Sequence, residues 1–339
     1  MKKRSISILV FLILIAITGS TFTGCTKKPA VKTVTDANGK TLKKVTIGQN
    51  GGICQAPLII AYEKGFYQEE GLSPELIKGD YNSFRDMLAT GKLDVTDGLV
   101  ATWLKPIEGG LDINFVLGIH TGCVSILTAK NSQYNKLADL KGKTIGISGG
   151  IGGGSMNLAY RAMYRDKLDV KDFQFKDYPN DQLITALEKG DVQAIVIGDQ
   201  LGTTYTNDGR TKTIRSSALD SDFKDEYCCL LGIRGQLVRE DPETAKAIVR
   251  AVIKGANWVK DHKKETAQIM SEKKYVNGSP EYLEQLLNNY NYKPSISGGQ
   301  NSVRVSIDEF KKLGVLDKNL DTKKETDKVF HTFNGLKDK

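Results

Sequence analysis

The stretch Gly48-Gln49-Asn50-Gly51-Gly52-Ile53, followed by Ala61-Tyr62, is written a second time as Gly146-Ile147-Ser148-Gly149-Gly150-Ile151, followed by Ala159-Tyr160. The shared residues stand 98 positions apart. A second echo sets Leu88-Ala89-Thr90-Gly91-Lys92-Leu93-Asp94 against Leu187-Glu188-Lys189-Gly190-Asp191-Val192-Gln193, 99 positions apart. Echoes at one period and in one local order mark an internal repeat. In each copy a β-like run (45–48; 144–147) leads to a Gly-rich turn and a helix. Later a helix stops at Gly91 or Gly190, since Gly accepts the left-handed conformation that ends helices. A new strand then begins (94–96; 193–197).

Short strands alternating with helices predict βαβ units and mainly parallel sheets. Tyr81, Phe84, Met87 and Leu88 share one helical face in the first copy. Leu183, Ile184 and Leu187 do so in the second. The apolar runs 113–119 and 123–129 lead from the first lobe into the second, and 227–233 leads back. Beyond that the chain reads as helical. Asp241-Pro242 is an N-cap with Pro at the first helical position. Ala245, Ile248, Val249, Val252, Ile253, Ala256 and Val259 then form a continuous stripe. Ser279-Pro280 opens another helix, which carries Leu283, Leu286 and Leu287. The expected architecture is α/β: two similar lobes joined by two crossover strands. Lobe 1 takes residues 44–122 and 228–334, with the C-terminal helices, and lobe 2 takes 123–227. Ligands of open α/β sheets bind beyond the carboxyl ends of the strands, so two such lobes share a cleft that can close by a hinge.

The N-terminus reads as an address. Lys2-Lys3-Arg4 precedes an apolar run over 6–17, broken only by Ser7. A bilayer span needs about 20 apolar residues, so this is a signal peptide. Phe22-Thr23-Gly24-Cys25 is similar to the bacterial lipobox, with Phe where Leu is commoner. That similarity implies removal of 1–24 and lipidation (palmitate) of Cys25, leaving 25–43 as a tether on the extracytoplasmic face. Net charge is +8, and three of those charges are Lys2, Lys3 and Arg4. The remainder is mild and dispersed, with no basic face interleaved with aromatics, which argues against nucleic acid as a partner.

Three segments carry a family resemblance. They are Ala56-Pro57-Leu58-Ile59-Ile60-Ala61-Tyr62-Glu63-Lys64-Gly65-Phe66-Tyr67 with Glu70-Gly71-Leu72, then Leu137-Ala138-Asp139-Leu140-Lys141-Gly142-Lys143-Thr144-Ile145-Gly146, then Ala186-Leu187-Glu188-Lys189-Gly190-Asp191-Val192. Over about 45–330 the chain resembles solute-binding lipoproteins of ABC importers, of the nitrate/sulfonate/taurine and thiamine-pyrimidine-precursor group. The resemblance implies a type II periplasmic-binding-protein fold, a monomer, a small-molecule ligand without a cofactor, delivery to a membrane permease, and no catalysis. An aliphatic sulfonate or similar oxyanion is the first ligand class and a pyrimidine-type vitamin precursor the second.

Candidate ligand contacts follow from loops at strand ends. In Gly149-Gly150-Ile151-Gly152-Gly153-Gly154-Ser155, backbone amides at a helix start suit an anion, with Ser155 as a ligand contact or an N-cap. The first-lobe loops supply Cys54, Gln55, Asp97 and Gly98, the crossing His120 and Thr121, and the second lobe Asp199 and Gln200. Two carboxylates sit poorly with a simple anion. Trp103 reads either as core or as a stacking platform. Gly146-Ile147-Ser148-Gly149-Gly150 matches the hydrolase elbow G-x-S-x-G, but the glycines after Ser148 delay the helix that an elbow needs. Besides Cys25, the cysteines are Cys54, Cys123, Cys228 and Cys229, all expected near the cleft floor. Disulfides, buried free thiols, and a metal held by Cys54, His120, Cys123 and Cys228 all remain open. Adjacent strand residues face opposite sides, so only one of Cys228 and Cys229 is expected to face the cleft. A different class of reading makes the chain a metal- or redox-active protein. The cysteine pair is also faintly similar to a stretch of the fungal thiamine-pyrimidine synthase, an enzyme of the same fold.

Overall fold

Each copy of the repeat folds as strand, helix, strand, helix, strand. The strands in chain order are β1 (Thr33–Thr35), β2 (Thr41–Gln49), β3 (Leu72–Lys78), β4 (Val95–Leu99), β5 (Ile113–Thr121), β6 (Val124–Ala129), β7 (Thr144–Ile147), β8 (Gln174–Asp177), β9 (Ala194–Gly198), β10 (Thr211–Ser216) and β11 (Tyr227–Arg234). This computed structural model describes residues 33–35, 39–336 and 338. The signal segment 1–24 and Cys25 lie outside them.

In the first sheet β2 pairs in parallel with β3 and β4, and in the second β7 pairs in parallel with β8 and β9. The two units are therefore the same motif. Two glycines show why the sequence repeats. A β-carbon on Gly48 would sit 3.0 Å from Phe84 and from Thr96 Oγ1. One on Gly146 would sit 3.0 Å from Leu183 and 3.2 Å from Ile195. In each lobe the missing side chain lets a crossover helix lie close on the first strand. Gly190 stops its helix at φ 80°, and Gly91 takes φ 70° just after the helix Tyr81–Ala89.

The sheets are less parallel than expected. The strands that carry the chain between lobes run antiparallel to their neighbours: β11 against β4 and β5, β6 against β9 and β10. A strand that enters a sheet from the other lobe arrives at the cleft end and runs against the parallel set. The tether also ends earlier than expected. β1 pairs with β2 through Thr33↔Lys43, and β2 starts at Thr41, so part of 25–43 belongs to the first sheet.

The chain crosses outward at Gly122–Cys123, between β5 and β6, and returns between β10 and β11. Each lobe buries its own apolar core, one around Phe84, Trp103, Phe115 and Val249, the other around Ile145, Met163 and Val196. The helix Pro242–Asp261 starts on Asp241, whose carboxylate accepts from Thr244 N, and buries the predicted stripe except Ile253, which is half-buried. Ser279 caps the helix Pro280–Asn289 in the same way. Trp103 lies in the first core, edge-on to Tyr81 at 5.9 Å, so it is a packing residue. Gly98 serves that packing, because a β-carbon there would collide with the Trp103 indole. Among the described residues, no helix is long and apolar enough to cross a membrane.

Candidate functional site

The carboxyl ends of β2, β4 and β9 and both crossings meet on one buried floor. Cys54 and Gln55 lie in the single turn after β2, Asp97 in β4, His120 and Thr121 at the end of β5, and Asp199 at the start of the helix Asp199–Asn207. Gln55, Asp97, His120, Thr121 and Asp199 are all buried. Cys54 and Cys123 are half-buried, Cys228 and Cys229 buried, and all four are free thiols.

Both members of the cysteine pair join this floor. Cys123 Sγ stands 3.1 Å from Cys228 Sγ and 3.5 Å from Cys229 Sγ. Cys228 Sγ is 3.8 Å from Cys229 Sγ and 4.0 Å from His120 Nδ1. The expectation that only one thiol faces inward is corrected by the backbone. β11 loses register against β5 on both sides of Cys229, between Tyr227/Cys229 and between Cys229/Leu230. Such a bulge breaks the two-residue alternation. Two donor sets result, each with ligand atoms within 4.8 Å of one another: Cys54, His120 and Cys229, and Cys123, Cys228 and Cys229.

The carboxylates are held by single donors. Gln55 Nε2 donates to Asp97 Oδ1 at 2.6 Å, and Gln55 is itself held by Asn50 N and Gly48 O. Ser125 Oγ donates to Asp199 Oδ1 at 2.7 Å. Asp97 Oδ2 and His120 Nε2 are buried without a hydrogen-bond partner among the described residues. Burial raises Asp97 to about 6. Burial and the charge of Cys123 raise Asp199 to about 7. Burial alone would lower His120, but Cys54 and Cys123 outweigh it and lift the imidazole to about 9. Hydrogen bonds from Cys228 and Cys229 hold the Cys123 thiol well below its ordinary range. Thiols and an imidazole thus share one floor, donor types that also suit a metal ion.

In the Gly-rich loop two backbone amides are already engaged within the second lobe. Gly150 and Gly152 have φ 90° and 79°, a conformation that favours glycine. The Gly150 amide donates to Asp177 Oδ1 at 2.9 Å and the Gly152 amide to Met156 Sδ at 3.2 Å. Gly153 is the N-cap of the helix Gly154–Arg165, and Ser155 sits in its first turn, so Ser155 is not the cap. Gly154 packs on the first lobe, where a β-carbon would collide with Thr102 Oγ1. Asn157 Nδ2 donates across the lobes to Ala101 O at 3.0 Å. Gln200 points to Asn277 and its carbonyl accepts from Tyr282. Ser148 Oγ, 3.3 Å from Asn180 Oδ1, is exposed, and the helix starts only at Gly154.

Sequence reasoning missed other residues of the site. Tyr290 and Tyr292 flank the His120 ring at 5.1 and 5.5 Å. Their spacing of two, just past a helix end, was the available clue. Arg161 and Arg165, one turn apart, each pair with both Glu226 and Glu309. This ionic cluster joins the second-lobe helix Gly154–Arg165 to the helix Ile296–Lys312, which packs on β5 of the first sheet.

A family model described as NMT1/THI5 like matches residues 52–266. YtlA of Bacillus subtilis (strain 168) is 22% identical over 76% of this chain and 78% of its own length. The nitrate/nitrite binding protein NrtA of Nostoc sp. is 25% identical over 70% of this chain, which spans 59% of that relative. The crystal structure of the periplasmic aliphatic sulphonate binding protein SsuA from Escherichia coli matches with a TM-score of 0.70 at 14% identity, covering 87% of this chain and 94% of that one. That likeness is one of fold, the periplasmic-binding-protein fold.

Proposed function

The chain belongs to the NMT1/THI5-like family, and from that premise we propose that it is the lipid-anchored, extracytoplasmic solute-binding receptor of an ABC importer. It captures one small ligand between its lobes and presents it to a permease, and it catalyses nothing. The observation that carries this reading is the floor itself. Gln55, Asp97 and His120 come from the first lobe and Ser125 and Asp199 from the second, with Cys123 on the crossing. Buried polar atoms left unpaired, Asp97 Oδ2 and His120 Nε2, cost free energy that a ligand can offset.

The ligand class follows from the donors. Among the described residues, no Lys or Arg hydrogen-bonds to Asp97, Asp199, His120 or the thiols. A sulfonate would rely on the loop amides, and Gly150 gives its amide to Asp177. The side chains therefore favour a cationic or donor-rich ligand over an oxyanion. Native mass spectrometry of the full chain, purified without chelator or reductant, tests the receptor reading. A small species retained in the native spectrum and released on denaturation supports it. A chain that never retains one, and does not tighten with any member of a ligand panel, sinks it.

A further inference from the structure

We propose that the ligand site holds a thiophilic metal cation, ligated by Cys123, Cys228 and Cys229 with His120 as the fourth ligand and Cys54 beside it; this rests on the receptor reading and names its ligand class. Three observations support it independently. The first is distance. The three sulfur atoms stand 3.1, 3.5 and 3.8 Å apart. Two thiolates on one tetrahedral ion at about 2.3 Å are about 3.8 Å apart, so small rotations of Cys123 would form one face of such a site. The second is the backbone. The bulge at Cys229 turns both adjacent side chains inward, where a regular strand would present one. Bulges re-aim side chains beside functional sites. The third is the orphan. Among the described residues His120 Nε2 is buried without a conventional hydrogen-bond partner, with Cys54 among the groups acting on the ring, while Nδ1 lies 3.4 Å from the Thr121 carbonyl. With Nδ1 donating there, an incoming ion displaces the Nε2 proton to solvent and takes up its lone pair, the orientation common to metal-binding imidazoles.

The donor chemistry selects the ion. Thiolate and imidazole suit Zn(II) and Cu(I), whereas magnesium and calcium need oxygen-rich sites. Each ligating thiol gives up its proton to solvent as the metal–sulfur bond forms, so loading releases protons without oxidation or reduction. A single disulfide would use two of the four thiols and leave the third sulfur of the triad and the imidazole unemployed. Cys54, the less buried thiol of the two donor sets, marks the side from which an ion would enter.

The test uses the full reduced chain in a Cys25→Ser background, so that only the site thiols are counted. Zn(II) and Cu(I) are supplied separately against a chromogenic chelator, and the bound metal is examined by X-ray absorption. The expected result is one ion per chain with a sulfur shell at about 2.3 Å and an imidazole contribution. Cys229→Ser, which touches both donor sets, weakens binding on the order of 100-fold or more. Cys54→Ser, at a less buried position, weakens it less, and this guards against a Cys229 variant that fails to fold. No retained ion, or an all-oxygen shell, overturns the proposal. So does a Cys123–Cys228 disulfide that persists in the native chain and whose reduction restores no binding. A reduced chain that binds neither metal yet closes on an organic molecule overturns this inference and leaves the receptor reading intact. A metal that binds without any lobe closure supports the site and counts against the receptor reading.

Discussion

Two buried polar clusters bridge the lobes, and they differ in whether their groups are paired. In the first, Arg161 and Arg165 face Glu226 and Glu309, and both guanidiniums lie near the Phe223 ring, Arg165 at 3.9 Å. Each charge meets two opposite partners. In the second, around Cys123 and His120, a carboxylate oxygen and a ring nitrogen are buried unpaired. The paired cluster is complete and so structural. The unpaired cluster keeps a desolvation cost that an added partner would offset, and its convergence of thiols, imidazole and carboxylates marks it as the candidate ligand site.

The comparison can be broken at four points. Arg161→Ala should have the largest effect, because it leaves the buried Glu309 and the half-buried Glu226 to Arg165 alone, a loss of up to roughly 3–5 kcal/mol, read by urea denaturation. A loss under about 1 kcal/mol would mean that the cluster is not closed on itself. Asp97→Asn sharpens the other side. Burial raises Asp97 to about 6 against an ordinary value of about 3.9. Its contribution to stability is therefore full below about pH 4 and disappears as pH rises through about 6. The ligand-free wild type should lose about 3 kcal/mol over that window from this group, and the Asn variant should not. Parallel pH profiles for the two proteins would refute the assignment. Gly154→Ala should cost about 1–3 kcal/mol by crowding Thr102, and Thr102→Ala in the same chain should recover most of it. Ser148→Ala should shift the thermal midpoint by no more than about 0.5 kcal/mol equivalent and leave ligand retention unchanged, since Ser148 meets only Asn180 at an exposed position.

The fold was legible because the repeat is physical: Gly48 and Gly146 are required by the same close approach of helix to strand. The caps at Asp241 and Ser279 and the stripe of the helix Pro242–Asp261 were equally plain. The antiparallel crossing strands were not, because strand composition does not encode direction. At the site, the gathering of Cys54, Gln55, Asp97, His120 and Asp199 followed from strand ends. The inward turn of both Cys228 and Cys229 did not, since the two-residue period predicts the opposite and a bulge leaves no clear mark in sequence. Nor was the Arg161–Glu309 pairing visible, because it joins residues 148 positions apart with no shared motif.

Small-angle X-ray scattering of the full chain, ligand-free and ligand-loaded, tests the central claim most directly: that two lobes close over a shared floor. The account predicts a more compact loaded chain, with the change reduced in an Asp97→Asn, Asp199→Asn double variant that retains its fold. Identical scattering curves at confirmed full occupancy would contradict it.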